Sequence, residues 1–467
     1  MNPAYDLLPV FAQNLAYTVG GVWVSRQRFS RFFHETLATW EKTVEGPLLH
    51  LQAEQRERLD ALVNHARAHV PFYKDLPPPS SRYDPAEALA ETLARIPPLE
   101  KATYRDRWSE LVSGKVSTRR CIRLSTSGTT GTALRVLATP ERLAENFAAV
   151  WRQRRSFGAD ISDPNLTFNG RMIVPFRHRK PPFWRRNHYG GQTLFSVYHM
   201  SPENLPAYVE AIHTTPARFA QGYPSALHLA ARAMLEAGRP LPEGRLVGVF
   251  TSSESLLSFQ REAIEAAFGA PVRDHYAASE QAVSMTACRE NRLHVDMEYC
   301  VVEVETIEET DEWERGPLLV TGLGNEVLPF LRYRIGDVGT RAKTPCPCGR
   351  PGDTFLEIDG RLEDYVEATN GRLVGRLDHV FKEQRGVAEA QIHQQAPGTI
   401  ELHLVPAPGW DERAEASLLR ELHRRLGDTM KVELRIVDTI PREPNGKFRA
   451  VKSFVGRLDP GRSGANP

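Results

Sequence analysis

Residues 123–131 read R-L-S-T-S-G-T-T-G. From Ser125 onward the run is Ser125, Thr126, Ser127, Gly128, Thr129, Thr130 and Gly131, so it holds almost no side chain that needs burial. It offers backbone N–H groups that can converge on an anion, short hydroxyl donors, and glycines that let the chain close around its guest. Phosphate fits that chemistry. The run is not a Walker A loop, because Thr132-Ala133-Leu134-Arg135 follows Gly131 where Lys-Ser or Lys-Thr would be required. A polar Ser/Gly linker is the plain alternative. The rest of the chain decides between the two.

At 467 residues the chain is too long for one compact core, and two or three domains are expected. Hydrophobic content of 41% and charged content of 25% are those of a soluble globular protein. A net charge of +1 gives no global case for nucleic acid as a partner. Five cysteines, an odd number, suit a reducing cytosol better than a disulfide scaffold, so a cytoplasmic location is expected. The apolar stretch over 7–24 is broken by Gln13, Asn14 and two glycines and lacks a basic leader. It reads as neither signal peptide nor integral membrane segment, but as an amphipathic segment that packs on the body or rests on a membrane.

Residues 1–100 read as mainly helical. Over 52–69, Leu59, Leu62, Val63 and Ala66 share one face, and Pro71 stops the pattern. Residues 121–124 look like a short strand running into the Ser/Thr/Gly loop. Helices are expected over 141–157, 202–213 and 225–237. A strand over 246–250, a helix over 257–268 and a strand over 272–276 follow the grammar of an α/β domain. Beyond Gly360 the style changes: a strand over 400–405, a helix over 412–426 with Leu418, Leu419, Leu422 and Leu426 on its buried side, and a strand over 432–437. The expected organisation is a helical part over 1–100, an α/β nucleotide-binding core over 101–361, a small α+β domain over 362–457 and a disordered tail over 458–467.

Four more stretches accompany the opening loop. Ser252-Ser253-Glu254 ends an expected strand, where open α/β sheets place ligands. Tyr276-Ala277-Ala278-Ser279-Glu280 offers a flat aromatic and a carboxylate. Tyr333-Arg334-Ile335-Gly336-Asp337 carries an acid at a turn, and Pro444-Asn445-Gly446-Lys447 a lysine past a turn. Taken alone each has a bland reading: a helix-start acid, a turn acid, a solvated surface lysine. In this order they resemble the adenylate-forming (acyl- and aryl-CoA ligase) superfamily: its phosphate loop, its aromatic-x-x-Ser/Thr-Glu motif, its ribose motif, a hinge in G-R-L-E-D (360–364) and its catalytic-lysine loop. P-P-F-W-R-R-N (181–187), S-V-Y-H-M-S (196–201), G-Y-P-S (222–225) and P-C-P-C-G-R (345–350) are similar to the phenylacetate-CoA ligase family, in the branch found with capsular polysaccharide genes. The likeness covers nearly the whole chain.

The resemblance implies a large multi-sheet α/β N-terminal domain with a small mobile α+β C-terminal domain. It implies ATP-dependent activation of a small-molecule carboxylic acid, with Mg²⁺, and transfer to CoA. Residues Ser125 to Gly131 would hold the phosphates, Glu280 Mg²⁺, Tyr276 and the Ser252-Ser253-Glu254 turn adenine, and Asp337 and Arg361 the ribose, with Ser279 beside Glu280. Lys447, Glu280 and Thr129 are the catalytic candidates, and Glu363 the hinge about which the small domain turns between half-reactions. Residues 365–375 depart from the family loop that guides the pantetheine arm, which leaves an amine, a sugar or a carrier protein as a rival acceptor. A degenerate nucleotide-binding scaffold is the third reading. A homodimer is one assembly considered.

Cys288-x₅-His294 and Cys346-Pro-Cys348 are two short ligand pairs that suit a closed tetrahedral Zn²⁺ site, as related ligases carry; free buried thiols are the alternative. Tyr198, His199, Gly222, Tyr223 and Pro224 look like a wall for a flat acid, with His199 equally readable as a satisfied structural histidine. Arg177 to Lys180 with Arg185 and Arg186 form a basic loop, either solvated or facing CoA phosphates or an acidic substrate.

Overall fold

The computed structural model describes residues 5, 7–44, 46–125, 134–175, 178–361, 366–369, 373–374, 377, 380–381, 386–442 and 448–453, with backbone alone for Ser125, 359–361 and Leu373. The chain divides into two compact units: Met1–Leu256 with Gln260–Ile358, and Leu257–Phe259 with Asp359–Pro467. The expected tail over 458–467 lies outside the described residues.

The larger unit opens with helices α1 (Val10–Arg28), α2 (Arg31–Thr43) and α3 (Leu48–His69). Ser30 starts α2 by accepting a hydrogen bond from the Phe33 amide. In α3 the buried residues Leu51, Gln55, Leu59, Leu62, Val63 and Ala66 recur every three or four positions, so one stripe faces the core. Helix α4 (Pro140–Ser156) begins with Pro140 in its first turn and Thr139 accepting from the Arg142 amide. A hairpin of β1 (Ile122–Ser125) and β2 (Arg135–Ala138) pairs Ser125 with Arg135, so both ends of the 126–133 segment are anchored side by side.

A thirteen-stranded sheet organises this unit. Its centre is a parallel run of β5 (Gln192–Ser196), β3 (Asn165–Asn169), β6 (Phe219–Gly222), β7 (Val249–Ser252) and β8 (Val272–Ala277), with β4 (Trp184–Asn187) on its edge. Leu166, Phe168, Ala220, Val249 and Val272 are fully buried, as expected of parallel strands covered on both faces. Helices α5 (Leu205–Thr214), α6 (Pro224–Glu236) and α7 (Ser258–Phe268) belong to the crossovers. Beyond β8 the sheet turns antiparallel through β9 (Ser284–Ala287) and β10 (Leu293–Val295), and continues into β11 (Cys300–Val304), β12 (Glu308–Glu309), β13 (Trp313–Gly322), β14 (Tyr333–Ala342) and β15 (Thr354–Arg361).

The strand expected over 246–250 is shifted to Val249–Ser252. The backbone bonds to the β6 line already begin before it, from the Val247 amide to the Arg218 carbonyl at 2.8 Å and from the Ala220 amide to the Gly248 carbonyl at 3.2 Å, while Arg245 Nη2 donates to the carbonyls of Ile212, His213 and Thr215 at the end of α5.

The smaller unit has its own core of Ile392, Ile400, Leu402, Leu404, Leu418 and Leu422. Short strands β16 (Val366–Glu367) and β17 (Leu373–Val374) pair. A four-stranded sheet runs β20 (Lys431–Ile436), β19 (Thr399–Pro406), β18 (Val387–Ala396), β21 (Val451–Ser453). Helix α8 (Glu412–Leu426) is capped by Asp411, which accepts from the amides of Arg413 and Ala414, and it buries Leu418, Leu422 and Leu426. Leu419, expected in that stripe, is only half-buried at its edge.

Gly222 sits where β6 passes β3, and a Cβ there would lie 2.1 Å from the Phe168 carbonyl oxygen, the same oxygen that accepts from the Tyr223 amide at 2.8 Å. Gly222→Ala is expected to lower stability by about 1–3 kcal/mol, read as a fall in the urea midpoint at unchanged m-value. An unchanged midpoint would show that the strands separate freely.

Candidate active site

Strands β6, β7 and β8 are adjacent and parallel, so their carboxyl ends open on one crevice edge. Tyr223 and Pro224 follow β6, Ser253 and Glu254 follow β7, and Ser279 and Glu280 follow β8. Three motifs far apart in sequence thus meet because of strand order. Pro224 opens α6, and Glu254 caps that helix from the neighbouring loop by accepting from the Ser225 amide at 3.0 Å and the Ser225 hydroxyl at 3.1 Å. Both Glu254 oxygens therefore serve the fold. Ser253 adopts φ 74°, a left-handed conformation that costs a non-glycine residue about 1 kcal/mol and is held by the loop around it.

The second side of the crevice comes from β14. Opposite Leu318 of β13 the register slips, leaving residues 335–337 as extra length, and Gly336 takes φ 91°. The bulge carries Asp337 to the β8 motif, where the Tyr276 phenol donates to Asp337 Oδ2 at 2.5 Å. Tyr333, at the start of the same strand, donates to Glu280 Oε1 at 3.4 Å. Each motif lends a tyrosine to the other's carboxylate. Tyr333 is fully buried beside Phe330 and Tyr104, and burial with the Glu280 charge pushes its phenol well above the ordinary range, so it remains a donor. No single-motif reading singles out Tyr333; its place at the head of Y-R-I-G-D was the available signal.

Beneath the β8 motif lies a fully buried carboxylate that sequence reasoning missed. Asp296 accepts from Arg152 at 2.7 Å, Arg350 at 3.1 Å, Ser284 at 2.6 Å and Thr286 at 3.0 Å. Arg152 also binds Glu298 at 2.6 Å, and Glu298 accepts from Thr43 of α2 at 2.6 Å. Ser284 in turn meets His275 Nε2 at 3.1 Å, one residue before Tyr276. Burial alone would raise Asp296, but Arg152 and Arg350 override it and hold the carboxyl below its ordinary 3.8.

Of the expected acid-pocket residues, Tyr198 donates to the Gly170 carbonyl at 2.8 Å, just past β3. His199 is a satisfied histidine: Nδ1 meets the Ser196 hydroxyl at 2.8 Å, Nε2 meets the Pro175 carbonyl at 3.2 Å, and the ring stacks on Phe183. Burial lowers its pKa, which keeps the ring neutral.

Cys288, His294, Cys346 and Cys348 come together from β9, β10 and the 345–350 turn, their ligand atoms all within 4.8 Å of one another. The Cys288 and Cys346 sulfurs are 3.7 Å apart and Cys348 Sγ is 3.3 Å from His294 Nε2. Tetrahedral Zn²⁺ with bonds of about 2.3 Å to sulfur and 2.0 Å to nitrogen has edges of about 3.8 and 3.5 Å, so the donor set fits in kind and spacing. Burial pushes the Cys346 thiol up to about 12 and the His294 imidazole down to about 4, leaving a neutral ring able to coordinate. His294 Nδ1 is buried with no well-formed hydrogen bond, only a weak approach to the Pro351 backbone.

Thr126, Ser127, Gly128, Thr129, Thr130, Gly131, Glu363 and Lys447 lie outside the described residues, as do the side chains of Ser125 and Arg361.

Residues 366–453 match the family model described as CapK C-terminal domain. The chain is 25% identical to Protein CapK of Staphylococcus aureus over 96% of its own length and 98% of that protein's. It is also 25% identical to the phenylacetate-coenzyme A ligase of Thermus thermophilus, over 86% and 96% respectively. Among solved structures it superposes on 2-hydroxyisobutyryl-CoA ligase in the postadenylation state with R3-HIB-AMP, with TM-score 0.63 at 19% identity over 85% of this chain and 88% of that one.

Removing the Asp296 charge takes one carboxylate from the buried Arg152, which keeps Glu298, and another from Arg350. Asp296→Asn is expected to cost about 3–5 kcal/mol in chemical denaturation. Because the carboxyl is depressed in the fold, its contribution is present above pH 3.8 and lost as pH falls through the native value, so wild type and variant should converge in acid. A gap that persists undiminished at low pH would contradict this assignment.

Proposed function

We propose that this chain, a relative of CapK and of phenylacetate-coenzyme A ligase built on the adenylate-forming CoA-ligase fold, activates a carboxylic acid with ATP and passes the acyl group to CoA. The observation that carries the reading is the reciprocal tyrosine–carboxylate pairing of the two motifs at the carboxyl ends of parallel strands. It holds Asp337 and Glu280 in fixed places on opposite sides of one crevice.

In this reading an acid oxygen attacks the α-phosphorus of ATP, the bond from that phosphorus to the bridging oxygen breaks, and pyrophosphate leaves. Asp337, oriented by Tyr276, receives the ribose hydroxyls, with Arg361 nearby. The Ser252-Ser253-Glu254 turn meets adenine, with Glu254 also capping α6 through Ser225. Ser125 to Gly131, with Thr129 among them, wrap the β- and γ-phosphates. Glu280 would hold Mg²⁺, which would supply neutralisation of phosphate charge. Lys447 places its ammonium where charge concentrates at the α-phosphate and carboxylate. The CoA thiol then attacks the carbonyl carbon, loses its proton, and AMP leaves. Glu363 is the hinge between the half-reactions. Cys288, His294, Cys346 and Cys348 hold a closed structural Zn²⁺ that keeps no position for substrate.

The rival acceptor, an amine, sugar or carrier protein, is favoured by one observation: residues 365–375 depart from the family loop that guides pantetheine.

Acid-dependent ATP–pyrophosphate exchange, screened over aryl, acyl and amino acids, tests the reading. Lys447→Ala should lower the exchange rate about 10²–10³-fold. Acyl-CoA should form only when CoA is added; exchange without acyl-CoA would select the rival acceptor, and no exchange with any acid would select a nucleotide-binding scaffold. Elemental analysis of the purified chain should give about one zinc per chain. Cys346→Ser should lose the metal and lower Tm, while a metal-free wild type of unchanged Tm would remove zinc from the account.

A further inference from the structure

Helix α1 is turned inside out. Its polar residues face the protein: Gln13 accepts from Arg185 Nε, Asn14 Oδ1 accepts from the Arg186 amide at 2.9 Å, and Thr18 Oγ1 accepts from the His188 amide at 3.1 Å. Gly21 lies against Asn187 so closely that a Cβ would meet its side chain at 2.5 Å. These contacts fix the rotation of the helix on β4. Arg185, expected in a basic loop, is consequently buried and also donates to the carbonyls of Pro182 and Trp184.

The outward face is apolar. Phe11, Leu15, Val19 and Trp23 recur every four residues and are 74%, 62%, 63% and 64% exposed. Leu7 and Leu8 extend the stripe before the helix. Single exposed leucines are ordinary; a continuous stripe opposite a polar, docked face is not. Charge is segregated around it. Residues 7–34 contain Arg26, Arg28 and Arg31 and no acid, and residues 171–188 contain five arginines and Lys180 and no acid, in a chain that as a whole has 59 basic and 58 acidic groups. Arg26, Arg171 and Arg186 are exposed, whereas Arg28 is spent on the Phe147 ring. Tyr189, next to the His188 contact, is 57% exposed.

We propose that α1 lies in the interfacial plane of an anionic lipid bilayer, with Phe11, Leu15, Val19 and Trp23 below the headgroups and the exposed arginines against lipid phosphate. An amphipathic helix binds such a surface through buried apolar area plus cationic attraction, and Trp and Tyr favour that depth. No helix among the described residues is long and apolar enough to cross a membrane, so the contact lies in the plane. A second copy fits less well. A stripe about 25 Å long on a helix about 10 Å across offers roughly 250 Å², against about 800 Å² per partner in a stable dimer.

Vesicle co-sedimentation of the full chain tests this. Vesicles with about one third phosphatidylglycerol should bind it at least about tenfold more tightly than pure phosphatidylcholine vesicles, and raising salt to about 0.5 M should remove most of that difference. The paired substitution Leu15→Gln with Trp23→Gln should cut binding about tenfold while pyrophosphate exchange and Tm stay unchanged. A second pair, Arg26→Glu with Arg186→Glu, should abolish the preference for anionic vesicles. Equal binding to both vesicle types, no binding to either, or a dimer in sedimentation velocity that the Leu15/Trp23 pair dissociates would each overturn the proposal, the last in favour of a second copy.

Discussion

Much of the larger unit is oriented about the carboxylate of Asp296. It is fully buried, and a buried carboxylate is stable only if nearly every lone pair is used. Here the two guanidinium groups come from helix α4 and from the turn that carries Cys346 and Cys348, and the two hydroxyls from β9. Through Arg152 and Glu298 the cluster reaches Thr43 of α2, and through Ser284 it reaches His275. One charge thus ties the N-terminal helices, the Cys/His cluster and the strand of the β8 motif into a single rigid piece. Desolvation on this scale is tolerable because two guanidinium groups and two hydroxyls each donate one hydrogen bond to it.

On that base the crevice is built by exchange. Tyr276 belongs to the strand that supplies Glu280 but binds Asp337; Tyr333 belongs to the strand that supplies Asp337 but binds Glu280. Neither carboxylate can shift without disturbing the opposite motif. Electrostatic catalysis depends on groups already in place when charge develops, and in the proposed reaction these two carboxylates would be such groups. The Cys/His cluster is joined to Asp296 through Arg350, whose amide donates to Cys348 Sγ at 3.4 Å.

Much of this fold was legible in local patterns. Helix α8 is bounded as its apolar period foretold, and β7–α7–β8 has the expected strand–helix–strand form. The carboxyl-end placement of Ser253 and Glu280 followed from strand grammar, whereas β6 before Tyr223 was not foreseen. What stayed hidden depends on partners distant in sequence: Arg152 and Asp296 are 144 residues apart, Tyr276 and Asp337 61. Glu254 has a second part that nothing local shows, the capping of α6 through Ser225. Helix α1 misled for the opposite reason. Its polar residues looked like interruptions of an apolar run, whereas they are the docking face, a distinction that depends on β4.

The central claim is that this crevice joins a carboxylate oxygen to the α-phosphorus of ATP. It is tested most directly with the acid that drives exchange, labelled with ¹⁸O in its carboxylate, followed through a complete turnover. The account predicts AMP carrying one label, since the attacking oxygen stays with phosphorus when the acyl group departs. Label in inorganic phosphate, with ADP as the nucleotide product, would show attack at the γ-phosphorus and contradict it.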